Sequence, residues 1–153
     1  MNSSSYRSVV ETLQGLFALV RENEREIAVH LGLNFTDYRA LSLLAQSGPM
    51  TAGKLAEDLG STAATTTAIT NRLESRGYLV RIRNTTDRRQ VQLSASPAPA
   101  HQILELMRPL ATAIDDHLQA LPSDQRETIA NFLDVAQKLM REHLQPLSQK
   151  DTR

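Results

Sequence analysis

Residues 51–94 read TAGKLAEDLGSTAATTTAITNRLESRGYLVRIRNTTDRRQVQLS and carry two successive structural patterns. Its first half carries two apolar patterns at helical spacing: Leu55, Ala56 and Leu59, then Ala64, Ile69 and Leu73. Gly60 predicts the end of the first helix because glycine readily adopts the left-handed conformation found there. Thr62 is a suitable N-cap for the second helix, which is predicted to stop at Gly77. Two helices joined by so short a turn are typical of a helix-turn-helix.

The second half of this stretch predicts a β-hairpin. One β-prone run contains Tyr78, Leu79, Val80 and Ile82, and in the other Val91 and Leu93 alternate with polar residues. The polar tip between them, residues 83–89, is too long for a two-residue turn. Residues 50–51 are predicted to add one short strand. The whole stretch is therefore interpreted as a winged helix-turn-helix.

The charge of this region supports that interpretation. Six arginines lie between residues 72 and 89 against two acidic residues, a net charge of +4 in a chain that is formally neutral. Charge segregated in this way indicates a nucleic-acid-binding surface. The alternative is a solvated arginine-rich hairpin that binds nothing.

The same residues resemble a known family. The pattern LAEDLG-x-T-x-x-T-x-T-x-x-x-x-RLESRGYLVR, followed by DRR and a strand, is similar to the multiple antibiotic resistance regulator (MarR) family over residues 36–96. The resemblance implies a mainly α fold, with a winged helix-turn-helix core and long terminal helices that form a homodimer. It also implies a bacterial transcriptional regulator that binds double-stranded DNA, usually a repressor, and often one released by a small aromatic or phenolic ligand.

Length and composition limit the alternatives. The 153 residues suit a single domain, with a DNA-binding lobe at residues 36–96 and a helical dimerisation lobe at residues 6–31 and 97–145. No apolar run is long enough to span a bilayer and the N-terminus has no signal pattern, so a soluble, cytoplasmic protein without membrane contact is expected. The absence of cysteine excludes disulfides, thiolate zinc sites and thiol-based redox sensing.

The flanking segments predict amphipathic helices. One is expected over residues 6–31, a second from Asp37 to about Gln46 with Thr36 or Asn34 as its cap, and a third beginning at Ser96-Pro97. Pro109 is expected to kink the third helix or reset it by a turn. The last helix is predicted to begin at a Ser123 cap and to end near residue 146.

The outer helices carry more apolar surface than a winged module of this size needs to cover. Contiguous exposed apolar patches usually mark an interface, so a homodimer is predicted. The alternative is a monomer that folds these helices over its own core.

The candidate DNA-binding residues lie on the second helix and on the wing. They are Thr62, Ala63, Ala64, Thr65, Thr67, Ala68, Asn71, Arg72, Arg83, Asp87, Arg88 and Arg89. Threonine and alanine suit contact with the thymine methyl group, and Asn71 could pair with adenine. Thr62 and Thr65 could also donate to phosphates. The resemblance implies that Arg89 reaches the minor groove while Asp87 orients an arginine. Alanine at positions 63 and 68, where many relatives carry arginine, points to an A·T-rich site or to readout of DNA shape.

Candidate ligand-binding residues follow from the resemblance alone, which implies a pocket between the terminal helices and the winged module. They are Phe17, His30, Phe35, Tyr38, Arg39 and Met107, and each of them is more often core or surface. No catalytic residue and no cofactor is predicted, because the chain has neither a phosphate-binding glycine loop nor a nucleophile elbow. A metal site around residues 115–117 and a protein-binding winged helix remain alternatives.

Overall fold

The elements of the fold follow the order of the sequence patterns. The computed structural model describes the backbone of residues 3–83 and 91–148, and side chains within 8–83 and 91–143. In chain order the elements are α1 (Ser3–His30), α2 (Phe35–Ser47), β1 (Met50–Thr51), α3 (Ala52–Leu59), α4 (Ala63–Ser75), β2 (Leu79–Arg83), β3 (Val91–Ala95), α5 (Pro97–Gln119) and α6 (Ser123–Ser148). The fold is mainly helical, with the predicted winged helix-turn-helix at its centre.

Side-chain caps set the beginnings of the central helices. The Asn34 side chain accepts a hydrogen bond from the Asp37 backbone N–H over 2.8 Å, so Asn34 rather than Thr36 caps α2. The Thr51 and Thr62 hydroxyls cap α3 and α4 in the same way. Gly60 ends α3 in the left-handed conformation with φ of 62°, as its position in the sequence predicts.

The wing is a three-stranded antiparallel sheet in the order β1-β3-β2. Leu93 of β3 lies opposite Met50 on one side and opposite Arg81 on the other. Because alternate residues of a strand share a face, Leu79 and Arg81 project from the same face of β2. Leu79 and Leu93 are buried on that face, which holds the wing against the helices.

The winged core lies in the first of two compact units, residues 1–106. It is aliphatic, with Tyr38 as its one fully buried aromatic side chain among the residues described. The core residues are Ile27, Ala28, Leu33, Tyr38, Ala40, Leu41, Leu44, Met50, Leu55, Leu59, Ile69, Leu73, Leu79, Leu93 and Ile103. Helices α1 to α5 and both strands of the hairpin contribute to it. The helix-turn-helix is therefore fixed by side chains from elements before and after it.

The inner face of α4 differs from the sequence prediction. Ala64, predicted to lie on the apolar side, is exposed, while Thr66 and Thr70 are buried beside Ile69 and Leu73. The buried positions follow the i, i+3, i+4, i+7 spacing of one helical face, and Ala64 lies outside that phase. A β-branched threonine fills space much as valine does, so the apolar pattern alone did not reveal this face.

The second compact unit comprises residues 107–153 and contains the end of α5 and all of α6. Helix α5 continues through Pro109 as a single element, and Ser123, predicted as the cap of the last helix, is the first residue of α6. Several large apolar side chains of this unit are exposed: Leu110, Ile114, Phe132, Leu133, Val135, Leu139 and Met140. Across the residues that the structure describes, no helix has the length and apolar character needed to cross a membrane.

Candidate nucleic-acid interface

Helix α4 presents an outer face of small side chains to solvent. The predicted contact residues Thr62, Ala63, Ala64, Thr65, Thr67, Ala68 and Asn71 are all exposed, and half of the Arg72 side chain is accessible. Because these side chains are short, the backbone of α4 can come close to a partner that docks on this face. The structure therefore leaves this face free for docking while Ile69 and Leu73 anchor the opposite face.

Hydrogen bonds within α4 restrict what its threonines can donate. The Thr67 hydroxyl donates to the Ala63 carbonyl over 2.8 Å, and the Thr62 hydroxyl donates to Thr65 Oγ1 over 2.9 Å. Thr62 and Thr67 therefore present methyl groups and acceptor oxygens to solvent. Thr65 keeps its own hydroxyl proton for a partner outside the helix.

Arg81 of β2 joins the wing to α4. Its guanidinium donates to Glu74 Oε2 over 2.9 Å, to Asn71 Oδ1 over 3.0 Å and to Thr70 Oγ1 over 3.5 Å. All three acceptors lie on α4, within about one helical turn of each other. The Arg81 guanidinium is therefore engaged within the protein.

Arg72 makes a paired contact with a carboxylate on α2. Its Nε donates to Asp37 Oδ2 over 3.1 Å and its Nη2 donates to Asp37 Oδ1 over 2.6 Å. The Asp37 side chain is only 4% exposed. Hydrogen bonding to Asp37 raises the pKa of the Arg72 guanidinium, which remains charged throughout the physiological range.

Arg76 fixes the end of α4 to the turn that follows α1. Both terminal nitrogens of its guanidinium donate to the Gly32 carbonyl over 3.2 Å, and the group lies 4.9 Å from the centre of the Tyr78 ring. Gly32 has φ of 64°, a conformation that favours glycine. Helix α4 is thus attached to the turn after α1, to α2 and to β2 by three different arginines.

The arginines behind the net charge of +4 between residues 72 and 89 do not all have the same surroundings. Arg72, Arg76 and Arg81 are engaged in contacts within the protein. Arg83 is exposed on β2. The predicted wing-tip residues Asp87, Arg88 and Arg89 lie outside the described residues. Sequence reasoning missed the contacts of Arg72, Arg76 and Arg81, because no local pattern pairs them with partners up to 44 positions away.

The predicted ligand residues of the first unit do not share one environment. Tyr38 is buried, and burial raises the pKa of its hydroxyl. The Phe35 ring is partly covered by the Arg25 guanidinium, 5.6 Å from the ring centre. Phe17 and Arg39 are half-buried and His30 is exposed. Met107, half-buried, belongs to the second unit.

A shallow pocket in the first unit contains none of these predicted ligand residues. It is lined by Leu31, Leu33, Leu41, Tyr78, Pro99 and Gln102.

The metal alternative receives no support from side-chain placement. Within residues 8–83 and 91–143, His, Asp and Glu side chains nowhere form a group of three that could hold a metal ion. Asp115, one member of the suggested site, accepts a hydrogen bond from the Gln119 amide over 2.6 Å.

A capped second helix with an exposed outer face, braced by a three-stranded wing, defines a winged helix-turn-helix DNA-binding protein. Comparison with known proteins agrees. The MarR family profile matches residues 33–91. The chain is 35% identical over 119 residues to YcgE, an uncharacterized HTH-type transcriptional regulator of Bacillus subtilis strain 168, covering 78% of this chain and 77% of YcgE. The chain belongs to the MarR family and is a DNA-binding transcriptional regulator, not an enzyme.

Solved structures share this fold at lower sequence identity. FabT of Streptococcus pneumoniae, solved in complex with DNA, superposes with a TM-score of 0.64 at 20% identity, covering 90% of this chain and 98% of FabT. NadR, solved in complex with 4-hydroxyphenylacetate, gives a TM-score of 0.63 at 24% identity, covering 85% of this chain and 89% of NadR.

Proposed function

We propose that this protein is a homodimeric repressor that binds a near-palindromic operator and releases it when a small aromatic ligand binds. The observation that carries the proposal is the division of α4 into a buried inner face and an exposed outer face of threonine and alanine. An outer face without bulky side chains suits insertion into the major groove of duplex DNA.

Base readout in this proposal depends mainly on methyl groups. The exposed methyls of Thr67, Ala63 and Ala68 suit contact with thymine, and the hydroxyl proton of Thr65 suits a phosphate. Because Arg81 donates to the amide oxygen of Asn71, the free amide N–H groups of Asn71 are directed to an acceptor such as adenine N7. An A·T-rich half-site fits this set of contacts.

The wing is proposed to make the second contact with each half-site. Arg83 is exposed on β2 and would neutralise a phosphate. The family resemblance implies that Arg89 reaches the adjacent minor groove while Asp87 orients an arginine. A narrow A·T-rich minor groove attracts guanidinium groups because its negative potential is enhanced.

The dimer is supported by apolar side chains on the terminal helices. In α1 these exposed residues are Val9, Val10, Leu16, Leu19, Val20 and Val29. Exposed apolar side chains on α5 and α6 add to them, including Leu104 and Phe132. Burial of such surface against a second copy would remove it from water. A two-fold dimer would then place two α4 helices in major grooves about 34–36 Å apart.

The ligand class is supported by the fold that this chain shares with NadR, which was solved with 4-hydroxyphenylacetate. The candidate residues that the family resemblance implies for such a ligand stay a prediction. A ligand that binds better to a dimer with altered half-site spacing would lower the population competent to bind DNA.

Selection of bound sequences from a random duplex library tests the proposal. We expect an A·T-rich inverted repeat, bound as a two-to-one complex of protein chain to duplex and weakened by salt. Arg89→Ala should weaken binding to the selected duplex and lower the salt slope by about one unit. Phenolic acids are then titrated into the complex, and release identifies the effector. A monomer that enriches no sequence would contradict the proposal.

A further inference from the structure

Asp37 is a charged side chain enclosed in the winged core. Only 3% of the residue is exposed. Aspartate is rarely buried unless it has a partner. It lies in the first turn of α2, where its backbone N–H donates to the Asn34 cap. Both carboxylate oxygens accept from the Arg72 guanidinium. Since Asp37 is buried, it does not touch a bound macromolecule directly, and its side-chain partner Arg72 is the link to α4.

The Asp37–Arg72 contact constrains the rotation of α4. A paired guanidinium–carboxylate contact fixes direction as well as distance because the two planar groups must align. Arg72 lies in the last turn of α4, and the exposed positions 67, 68 and 71 lie within about one and a half turns before it. Rotation of α4 about its axis would break the contact and redirect those side chains.

We propose that Asp37 is a positioning residue for DNA binding, whose buried carboxylate holds Arg72 and thereby orients the outer face of α4 toward the major groove. This inference rests on the operator-binding role proposed above. It also reassigns Arg72 from a base or phosphate contact to a link between α2 and α4.

The direction in which Asp37→Asn changes the affinity for DNA separates this positioning role from direct contact of Arg72 with DNA. Asp37→Asn removes a negative charge beneath the DNA-binding face and preserves the shape of the side chain. If Arg72 acted by binding phosphate, release from Asp37 would leave DNA binding unchanged or strengthen it. If the pair orients α4, loss of the charge-assisted contact should weaken operator binding by about tenfold.

The experiment measures binding of full-length protein to the selected operator and to a random duplex over a range of salt concentrations. Asp37→Asn, Arg72→Gln and the double variant are compared with wild type. We expect each single substitution to lower the operator-to-random affinity ratio without changing the salt slope. The double variant should be no weaker than the weaker single variant, because the two substitutions remove the same contact.

Asp115→Asn is the matched control, because it makes the same charge change at an exposed position of α5. Thermal unfolding of each variant establishes that the fraction folded is equal at the binding temperature. If Asp37→Asn does not fold, the salt slope of DNA binding by Arg72→Gln decides alone. An unchanged salt slope supports the proposal, and a salt slope lower by about one unit overturns it. Undiminished operator binding by a folded Asp37→Asn variant also overturns it. Failure of wild type to bind any duplex would instead refute the proposed function.

Discussion

The guanidinium of Arg81, on β2, donates to the amide oxygen of Asn71, on α4, over 3.0 Å. The same group pairs with Glu74 one turn further along the helix. Strand β2 of the wing and the helix proposed to read DNA therefore share a polar contact. A shift of the wing on DNA would therefore move the side chain of Asn71, which is exposed on α4.

Arg81→Gln and Arg83→Gln remove the same charge from the same strand, and we expect different effects on DNA binding. Arg81→Gln should relax base preference at the position read by Asn71, because the amide loses its fixed orientation. Arg83→Gln should weaken all duplexes equally and lower the salt slope by about one unit. Competition titrations with operators altered at single positions measure both effects. Identical profiles for the two variants would contradict the assignment.

Thr66→Val and Thr70→Val should change stability in opposite directions. Thr66 is 1% exposed, and its hydroxyl has no hydrogen-bond partner within the described part of the chain. Valine has the same shape without the buried polar group, so Thr66→Val should stabilise the fold by about 1 kcal/mol. Thr70→Val loses a hydrogen bond to the Thr67 carbonyl and should destabilise it by about as much. Urea unfolding midpoints give both values, and a loss of stability in Thr66→Val would indicate an unseen partner.

Gly60→Ala and Gly53→Ala form a second matched pair. A Cβ at either position meets nothing within 4 Å, so neither substitution creates a clash. Gly60 has φ of 62°, where an L-residue is strained, and alanine there should cost about 1–2 kcal/mol. Gly53 lies within α3 at an ordinary helical angle, and alanine there should stabilise by about 0.5 kcal/mol. Thermal unfolding of the two variants tests the prediction. Equal shifts would mean that the turn is not held in the left-handed conformation.

Tyr38 should make stability fall at alkaline pH. Burial raises the pKa of Tyr38 in the folded protein, so the unfolded chain loses this proton first as pH rises past about 10. The free energy of unfolding therefore decreases above that pH. Tyr38→Phe should reduce this decrease, because phenylalanine has no side-chain proton to lose. Equal alkaline slopes for Tyr38→Phe and wild type would refute the assignment.

The positions of the helices and strands were largely predictable because their signals are local. A threonine cap at residue 62 and a glycine at residue 60 act through atoms only a few positions away. The alternating strand residues predicted the hairpin, and the outer face of α4 was correctly expected to be accessible. The buried threonines of the same helix were not expected, because threonine fits both a core and a surface.

Local sequence thus determined the helix-turn-helix, its wing and the family to which the chain belongs. The tertiary structure alone decided what the arginines do. Arg72, Arg76 and Arg81 look equivalent as positive charges in the sequence, but each meets its own partner on a different element. Such pairing depends on packing that brings distant segments within hydrogen-bonding distance. Local sequence patterns do not show which segments pack together.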